Sequence, residues 1–351
     1  MNVVSRDWFQ FATPSRKVQN LEPGKDENGK PFDNVVLGER DASLVTDALA
    51  TAQFAGSGYL YKEAAKEAAA QLEKTPALSD APTVRLEDPF MIAPGWTTRP
   101  EKFDALVNHL LKVPENGGRA VYLKEGGAFT DKECTQPTEV KDTDKVFVAV
   151  YDDVLSPPEK TAPQLEQAVK MIKSVHGEKI DVMGYSLGGL AVRKMLDGQK
   201  EKVDQVAFMG TAHQGTRFAA LASYVIKRDI NFAMNLGGLN ATHLPAMSWM
   251  MPVNPDDPEA SPKLSELNKN LERQQAQATE MFTVGGAGLA TITKPWGGTV
   301  GGDGLVQATG LKLGDVPTVA LKGRGTKQHG ALPNDTDAFV ELMKYFHWKP
   351  A

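Results

Sequence analysis

Ser186 lies between glycines in the hexapeptide GYSLGG, at the junction of a strand pattern and a helix pattern. Residues 180–183 (IDVM) predict a short buried strand, and residues 187–192 (LGGLAV) predict the start of a helix directly behind the serine. Gly184 and Gly188 have no Cβ atoms, so the strand and the helix can approach closely enough to force the serine into a strained turn. Such a turn exposes a serine hydroxyl at the end of a strand and aims a helix N-terminus at it.

From about residue 83 onward, short apolar runs alternate with amphipathic segments. The expected strands are 89–93, 120–123, 146–150, 180–183, 206–209, 281–284 and 316–321, and the expected helices are 100–111, 165–175, 187–192 and one from residue 335. This alternation predicts an α/β fold with a mainly parallel sheet and helices on both faces. In such sheets the functional residues gather where the strands end.

Residues 1–84 differ from the rest of the chain, and we expect an N-terminal extension that packs on a main domain formed by residues 85–351. Residues 14–41 are rich in Pro, Gly, Asp, Asn and Lys and predict loops. Residues 59–73 predict a helix whose apolar face is mostly alanine. Because such a face buries little area, we expect a covering helix.

Residues 216–275 interrupt the alternation and are too numerous for a plain connection, so they predict an inserted lid or cap. The insertion is rich in methionine and includes Met234, Met247, Met250 and Met251. Because unbranched thioethers adapt to varied shapes, these side chains could line an apolar substrate cleft. They could equally attach the insertion to the main domain, and the sequence leaves both interpretations open.

The overall composition disfavours several classes of protein. The 351 residues carry a net charge of −5 without a basic stripe, which argues against a nucleic-acid partner. No run approaches 18 apolar residues, so no membrane span is expected. Residues 1–7 lack the apolar region of an ordinary signal peptide. This leaves retention inside the cell, removal of a leader and export by another route all open, so the localisation stays unknown.

Cys134 is the only cysteine, which excludes intrachain disulfides and thiolate metal clusters. It lies in a polar stretch without a histidine nearby in sequence, and this predicts a bystander rather than a nucleophile. We expect no cofactor.

A serine hydroxyl needs a base to remove its proton, and the histidines supply the candidates. His329 lies between the last expected strand and the last expected helix, at the sheet edge where Ser186 is also expected. It is the preferred base, and an ordinary loop histidine is the alternative. His213 follows another strand and is expected behind the reacting groups or in the wall of the site, with a role as the base as the alternative. His109 and His176 fall on helices and are expected at the surface.

The base must in turn be oriented by an acid. Asp303, in the glycine-rich segment GGDGLV, precedes His329 and is the preferred acid. Glycine-rich loops often carry aspartate only as a turn former, which is the alternative interpretation. Asp315 is a competitor, whereas Asp335 and Asp337 are expected at the cap and in the first turn of the last helix.

Acyl transfer also requires two N–H donors for the oxyanion. One is the backbone N–H of Leu187, the residue after the serine. The other is expected from Trp96, in the loop after the 89–93 strand, where Gly95 permits close approach of the backbone. Trp96 could also form an aromatic wall. Gly95 and Tyr185 are further expected beside the reacting groups.

Four segments together resemble the α/β-hydrolase superfamily, and within it the bacterial lipases and related esterases. They are GYSLGG around Ser186, the turn GTAHQG, the segment DGLV and the late His329. The chain order Ser…Asp…His is also the one expected for that superfamily. The similarity covers about residues 85–346, and residues 1–84 match nothing in it.

The resemblance implies a catalytic triad and two oxyanion donors in this sequence, which are Ser186, Asp303 and His329, and Trp96 and Leu187. The chain departs from the family pattern at two points. Pro94-Gly95 stands where the family usually has His-Gly, and Ala212 replaces a common proline. Some relatives bind structural calcium near the acid loop, but no clear ligand set is present here, so calcium stays unassigned.

Together these features predict a serine ester hydrolase for apolar acyl esters (a lipase, phospholipase or carboxylesterase) that acts through an acyl-enzyme. An acyltransferase or thioesterase would use the same triad. The alternative from a different class is a non-catalytic binding protein on the same scaffold. The expected partner is a lipid or another apolar ester, and the prediction allows peripheral contact with a lipid surface.

Overall fold

A computed structural model describes residues 62–228, 239–253, 260–292 and 299–351. Most of the expected N-terminal extension, including the predicted loop region 14–41, lies outside the described residues, as does Met234 of the predicted lid. The chain divides into two compact units. The sheet unit comprises Thr75–Thr211, Ser265–Val284 and Pro333–Ala351, and the second unit comprises those described residues that fall within Met1–Lys74, Ala212–Leu264 and Gly285–Leu332.

The strands follow the chain in this order: β1 (Val84–Arg85), β2 (Phe90–Ala93), β3 (Ala120–Lys124), β4 (Gly127–Phe129), β5 (Pro137–Thr138), β6 (Val146–Ala149), β7 (Asp181–Tyr185), β8 (Val203–Met209), β9 (Ala278–Gly286), β10 (Leu289–Ile292), β11 (Thr299–Gly302), β12 (Thr318–Leu321) and β13 (Lys349–Pro350).

The α-helices are α1 (62–74), α2 (Asp104–Leu110), α3 (Pro158–His176), α4 (Leu187–Asp197), α5 (Arg217–Arg228), α6 (Leu244–Met250), α7 (Pro262–Lys269), α8 (Leu271–Gln275) and α9 (Thr336–Tyr345). A short 3₁₀ turn, Pro100–Phe103, leads into α2. Pro100 stands at its start, where a missing N–H costs nothing.

In the sheet unit, strands β2 to β9 form one sheet in the order β9-β8-β7-β2-β6-β3-β4-β5. The neighbours from β9 to β3 are parallel, whereas β4 and β5 continue the edge as antiparallel strands. Every residue of β2, β6 and β7 is buried. Fully buried and mostly apolar strands are typical of a parallel sheet covered on both faces, and the predicted α/β architecture is confirmed.

The register of β2 and β7 defines one face of this sheet. Phe90 lies opposite Asp181 in the pairing, so Phe90 and Tyr185, four residues further along β7, point to the same side. Phe90 packs edge-on against Phe346 after α9, with ring centroids 5.4 Å apart. Tyr185 packs edge-on against Phe103 before α2, at 5.7 Å. Helices α2 and α9 therefore cover this face.

The opposite face carries α3 and α4. Phe147 lies opposite Met91 in the pairing and so points away from the Phe90 side. Its ring packs against His176 at the end of α3, with centroids 5.8 Å apart. Because α3 packs along α4, both helices lie on this second face.

A buried arginine joins α4 to the segment that precedes β9. Arg193 has no solvent exposure, and its Nε donates to Oε1 of Gln274 at 2.8 Å. Its Nη2 donates to the carbonyl oxygen of Leu267 at 3.2 Å. Burial lowers the pKa of the guanidinium to about 9. These bonds anchor the helix that begins directly after Ser186.

In the second unit, α5 packs on α6. Met247 and Met251 are buried there, and the Ser223 hydroxyl lies 3.8 Å from both of their sulfur atoms. Met250 is buried as well. The described methionines of the insertion therefore fill interior space, which favours the packing interpretation over the cleft-lining one.

The second unit also contains helix α1 and three short strands. Ala64 and Ala68 are the buried residues of α1, as its alanine-rich face predicts. Strands β10 and β11 form an antiparallel hairpin, and the N–H of Ala287 donates to the carbonyl oxygen of Leu321 in β12 at 2.9 Å.

Candidate active site

Ser186 occupies the turn between β7 and α4 with a backbone conformation that few L-residues adopt. Its φ is 54° and its ψ is −126°. The N–H of Ser186 donates to the carbonyl oxygen of Met209 at 2.8 Å, and its own carbonyl accepts the N–H of Gly189 at 3.1 Å. The chain therefore bonds the turn on both sides, which offsets a strain of roughly 1–3 kcal/mol. The side chain is half-buried.

Glycines around Ser186 make the turn sterically possible. A Cβ atom built on Gly184 would lie 2.5 Å from the Cα atom of Gly189. A Cβ atom on Gly188 would overlap the carbonyl oxygens of Ala93 and Pro94. Strand β7, helix α4 and the end of β2 thus meet at closer range than side chains allow, as the sequence predicts for this turn.

The loop after β2 lies against the serine turn. A Cβ atom on Gly95 would lie 2.7 Å from the Cβ atom of Ser186 and 3.4 Å from the backbone nitrogen of Leu187. The N–H of Thr97 donates to the carbonyl oxygen of Val154 at 2.9 Å and holds the loop in place. Leu187 is the first residue of α4, so its N–H belongs to the helix N-terminus.

The remaining residues expected near the serine lie in the same loop and strand. Trp96 directly follows Gly95 and is half-buried. Tyr185 is 3% exposed, and its ring lies on the sheet face where it contacts Phe103. The oxyanion role of Trp96 and Leu187 and the wall role of Tyr185 stay predictions.

Asp303 and His329 form a buried pair in the second unit. The imidazole Nδ1 lies 2.7 Å from Oδ2 of Asp303. Because a carboxylate only accepts, Nδ1 carries the proton and Nε2 is left as the basic nitrogen. The backbone N–H of His329 also donates to the carbonyl oxygen of Asp303, at 2.9 Å. Asp303 is completely buried and His329 is 6% exposed.

The second carboxylate oxygen of Asp303 is occupied by its own loop. Oδ1 accepts the N–H groups of Leu305 at 3.0 Å and Val306 at 2.7 Å. Gly304 has a φ of 95°, and its N–H donates to Oγ1 of Thr291 at 3.0 Å. The glycine-rich loop therefore does both things: it forms a turn, and it presents the carboxylate of Asp303 to His329. Thr291 was not predicted, since nothing in its surrounding sequence marks it as a support for this loop.

His213 lies in a turn of the second unit and has no solvent exposure. The next residue fixes this turn, because the N–H of Gln214 donates to the carbonyl oxygen of Gly310 at 3.0 Å and its Nε2 to that of Lys312 at 2.8 Å. The role of His213 in the wall of the site stays a prediction.

Two helical histidines differ from the expectation. His109 is 3% exposed, so its surface placement is wrong: Nε2 lies 3.0 Å from the carbonyl oxygen of Pro82, and the ring packs on Phe339. Burial lowers its pKa. His176 is half-buried against Phe147. A helical pattern shows that these residues lie on helices, but not that partner rings cover them.

The structure also describes the competing acids. Asp335 caps α9, with its side chain accepting the N–H of Ala338 at 2.9 Å, and Asp337 lies in the first turn of that helix. Both placements agree with the sequence prediction. Asp315 is exposed.

Cys134 is free and half-buried, and burial raises the pKa of its thiol to about 11. Among the described residues, no group of three or more His, Cys, Asp or Glu side chains could hold a metal ion, so calcium stays unassigned. No helix in the described ranges is long and apolar enough to span a membrane.

The structure thus brings Gly95, Tyr185 and Leu187 to Ser186 in the sheet unit, and brings Asp303 to His329 in the second unit. That Ser186 and His329 act on one substrate stays a prediction.

Solved structures provide likenesses to this fold. Lipase BlEst2 of Bacillus licheniformis, in mature form, is 14% identical over 75% of this chain and 94% of its own, with a TM-score of 0.47. The lin2722 gene product of Listeria innocua is 14% identical over 74% and 93%, with a TM-score of 0.46. The metagenomic carboxyl esterase MGS0156 is 10% identical over 76% and 77%, with a TM-score of 0.44.

No protein-family model and no curated protein matches the chain. The parallel strand order, the covered faces and the serine turn at the end of β7 decide the architecture. It is the α/β-hydrolase fold. What this fold catalyses depends on the site it carries, because one scaffold supports many chemistries.

Proposed function

We propose that this protein is a serine hydrolase of carboxylic esters with apolar acyl groups, and that it acts through an acyl-enzyme. The observation that carries the proposal is the backbone of Ser186, held at φ 54° in a tight turn between a buried strand and a helix N-terminus. A strained residue of this kind persists only where its surroundings enforce it, and such residues cluster at functional sites.

In the proposed reaction, Ser186 Oγ attacks the ester carbonyl while Nε2 of His329 takes the hydroxyl proton. Asp303 keeps Nδ1 protonated and stabilises the imidazolium that forms. The N–H groups of Leu187 and Trp96 bind the oxyanion, each contributing roughly 2.7–4 kcal/mol in the transition state. The imidazolium returns its proton to the leaving alcohol.

The acyl-enzyme is then hydrolysed. Nε2 of His329 takes a proton from water, and the resulting hydroxide attacks the acyl carbon. The carbon–Oγ bond breaks, the acid leaves, and Oγ of Ser186 regains the proton. The apolar acyl preference rests on the resemblance to lipases, whereas the triad chemistry itself serves any acyl group.

Hydrolysis of p-nitrophenyl esters graded from acetate to palmitate tests the proposal. The wild type should hydrolyse the series, and Ser186→Ala should lose activity by about 10⁴-fold or more. A fluorophosphonate probe should label the wild-type chain at Ser186. Ser223→Ala is a matched control, since Ser223 is a buried serine that contacts methionine sulfur atoms.

Absence of labelling at Ser186 in folded protein would overturn the proposal and point to a binding protein on this scaffold. Ester cleavage that becomes faster with added alcohol, with transfer of the acyl group to it, would instead assign an acyltransferase.

A further inference from the structure

Gln71 of helix α1 lies directly over Gly325, in the loop that precedes His329. A Cβ atom built on Gly325 would overlap the side-chain oxygen of Gln71 and lie 3.0 Å from its Cδ atom. Gly325 also has a φ of 63°, which L-residues rarely adopt. The loop therefore needs glycine here both for its turn and for the approach of Gln71.

A second contact joins the same helix to the same loop. Oε2 of Glu67 lies 3.9 Å from Nε of Arg324, one turn before Gln71 on α1. Ala64 and Ala68 are buried on α1, so the helix packs through its alanines and places Glu67 and Gln71 over residues 324 and 325.

The loop is also in close contact with the chain that leaves β9. A Cβ atom on Gly286 would overlap the carbonyl oxygen of Lys327, and one on Gly288 would overlap that of Gly323. Glycines thus let the backbone of the loop lie directly on the backbone of residues 286–288. The loop between β12 and His329 has little freedom to move while α1 remains on it.

Short hydrogen-bonded steps connect Gly325 to His329. The N–H of Gln328 donates to the carbonyl oxygen of Gly325 at 3.2 Å. Oε1 of Gln328 accepts the N–H of Gly330 at 3.0 Å. Gln328 therefore bonds to Gly325, which Gln71 contacts, and to Gly330, the residue after His329.

We propose that helix α1 positions the loop that carries His329, with Gln71 as the positioning residue. This rests on His329 being the base of the proposed function. The proposal gives helix α1 a function, whereas the sequence predicts only a covering helix there. A shift of the base by a fraction of an ångström is costly in catalysis, so a contact of small stability can have a larger effect on rate.

Three variants of α1 test the proposal. Gln71→Ala removes the contact without lowering helix propensity, since alanine is the best helix former. Gln71→Glu keeps the length and shape of the side chain. Glu73→Ala is the matched control, an exposed residue two positions further along the same helix.

For a soluble short-chain ester, Gln71→Ala should lower kcat by about threefold to tenfold with KM unchanged. Gln71→Glu should restore most of the rate, and Glu73→Ala should match the wild type. All four proteins should melt within about 2 °C of one another, because the changes are at exposed positions. A loss of kcat that tracks a loss of melting temperature, or equal rates in Gln71→Ala and Glu73→Ala, would overturn the proposal.

A readout independent of turnover separates this inference from the proposed function. The Nδ1 proton of His329, bonded to Asp303, should give a downfield ¹H NMR signal that disappears in Asp303→Ala. Gln71→Ala should shift this signal, and Glu73→Ala should leave it in place. If the wild type hydrolyses no ester but the signal shifts, the proposed function fails and the positioning role stands. If the wild type hydrolyses the ester but Gln71→Ala leaves the signal in place, the positioning role is refuted and the proposed function is not.

Discussion

Oδ2 of Asp303 accepts the proton of His329 Nδ1 at 2.7 Å, while Oδ1 of the same carboxylate accepts two N–H groups of its own loop. The carboxylate therefore has a fixed orientation before any substrate arrives. In the proposed reaction, a preformed orienting group of this kind adds no reorganisation cost.

Asp303→Asn should therefore lower kcat by up to about 10⁴-fold, because an amide in place of the carboxylate favours the wrong imidazole tautomer. Ester hydrolysis by purified variants measures this. Asp315→Asn, at an exposed position, should retain wild-type activity. A large loss in Asp315→Asn with little change in Asp303→Asn would move the acid to Asp315.

Gly184→Ala should destabilise the protein by about 3 kcal/mol, because its methyl group would lie 2.5 Å from the Cα atom of Gly189. Urea denaturation measures the free energy of unfolding. Gly198→Ala, at the other end of α4, is the control. Gly198 has a φ of −68°, so alanine there should change stability by less than about 1 kcal/mol. Equal effects at the two positions would contradict close backbone contact at the serine turn.

Asp181→Asn should change how stability depends on pH. Burial, followed by the nearby Asp88 and Asp204 carboxylates, raises the pKa of Asp181 to about 8 in the folded protein. The folded state thus binds the proton more tightly than the unfolded state does, so this group's stabilisation is complete below about pH 4 and is lost as pH rises toward 8. Within that window the loss is up to about 1.4 kcal/mol per pH unit.

Asparagine has no proton to lose, so Asp181→Asn should be more stable than the wild type at pH 8 and should approach it at pH 4. Thermal melting across this range provides the comparison. Asp204→Asn keeps the buried carboxyl of Asp181 and removes only one neighbouring charge, so it should weaken the pH dependence less than Asp181→Asn does. Parallel pH profiles for wild type and Asp181→Asn would refute the shift.

Arg193→Ala should cost about 2–5 kcal/mol, because it leaves a cavity and removes the donor to Gln274 and Leu267. Arg273→Ala tests an exposed guanidinium that contacts Asp197, and it should cost about 1 kcal/mol or less. Guanidinium chloride denaturation of both variants measures the difference. A cost for Arg193→Ala no greater than that for Arg273→Ala would show that the buried bonds contribute little.

The local sequence pattern was sufficient to predict the central strands and the turn that holds Ser186. The residues 90–93 of the predicted first strand are those of β2, and the predicted elbow strand lies within one residue of the start of β7. Fully buried parallel strands are continuous apolar runs, and glycines in a fixed arrangement around a serine have few other uses. Asp335 and Asp337 followed from capping chemistry in the same way.

Other features depend on contacts between residues that are distant in sequence, so no local sequence pattern predicted them. The hairpin of β10 and β11 contains glycine, alanine and threonine without a regular alternation, so no strand was predicted there. The edge strands β4 and β5 are three and two residues long. The burial of His109 is decided by Phe339, more than two hundred residues further along the chain. Likewise, no sequence pattern indicates that Gln71 lies on Gly325.

The backbone contact of Gly188 with the carbonyls of Ala93 and Pro94 has a practical consequence for protein engineering. Libraries meant to alter substrate preference should keep glycine at 95, 184, 188 and 189, since a side chain there would displace the serine turn or the segments packed against it. Diversity introduced instead at residues 96–99 would vary the loop beside Ser186 on an intact scaffold.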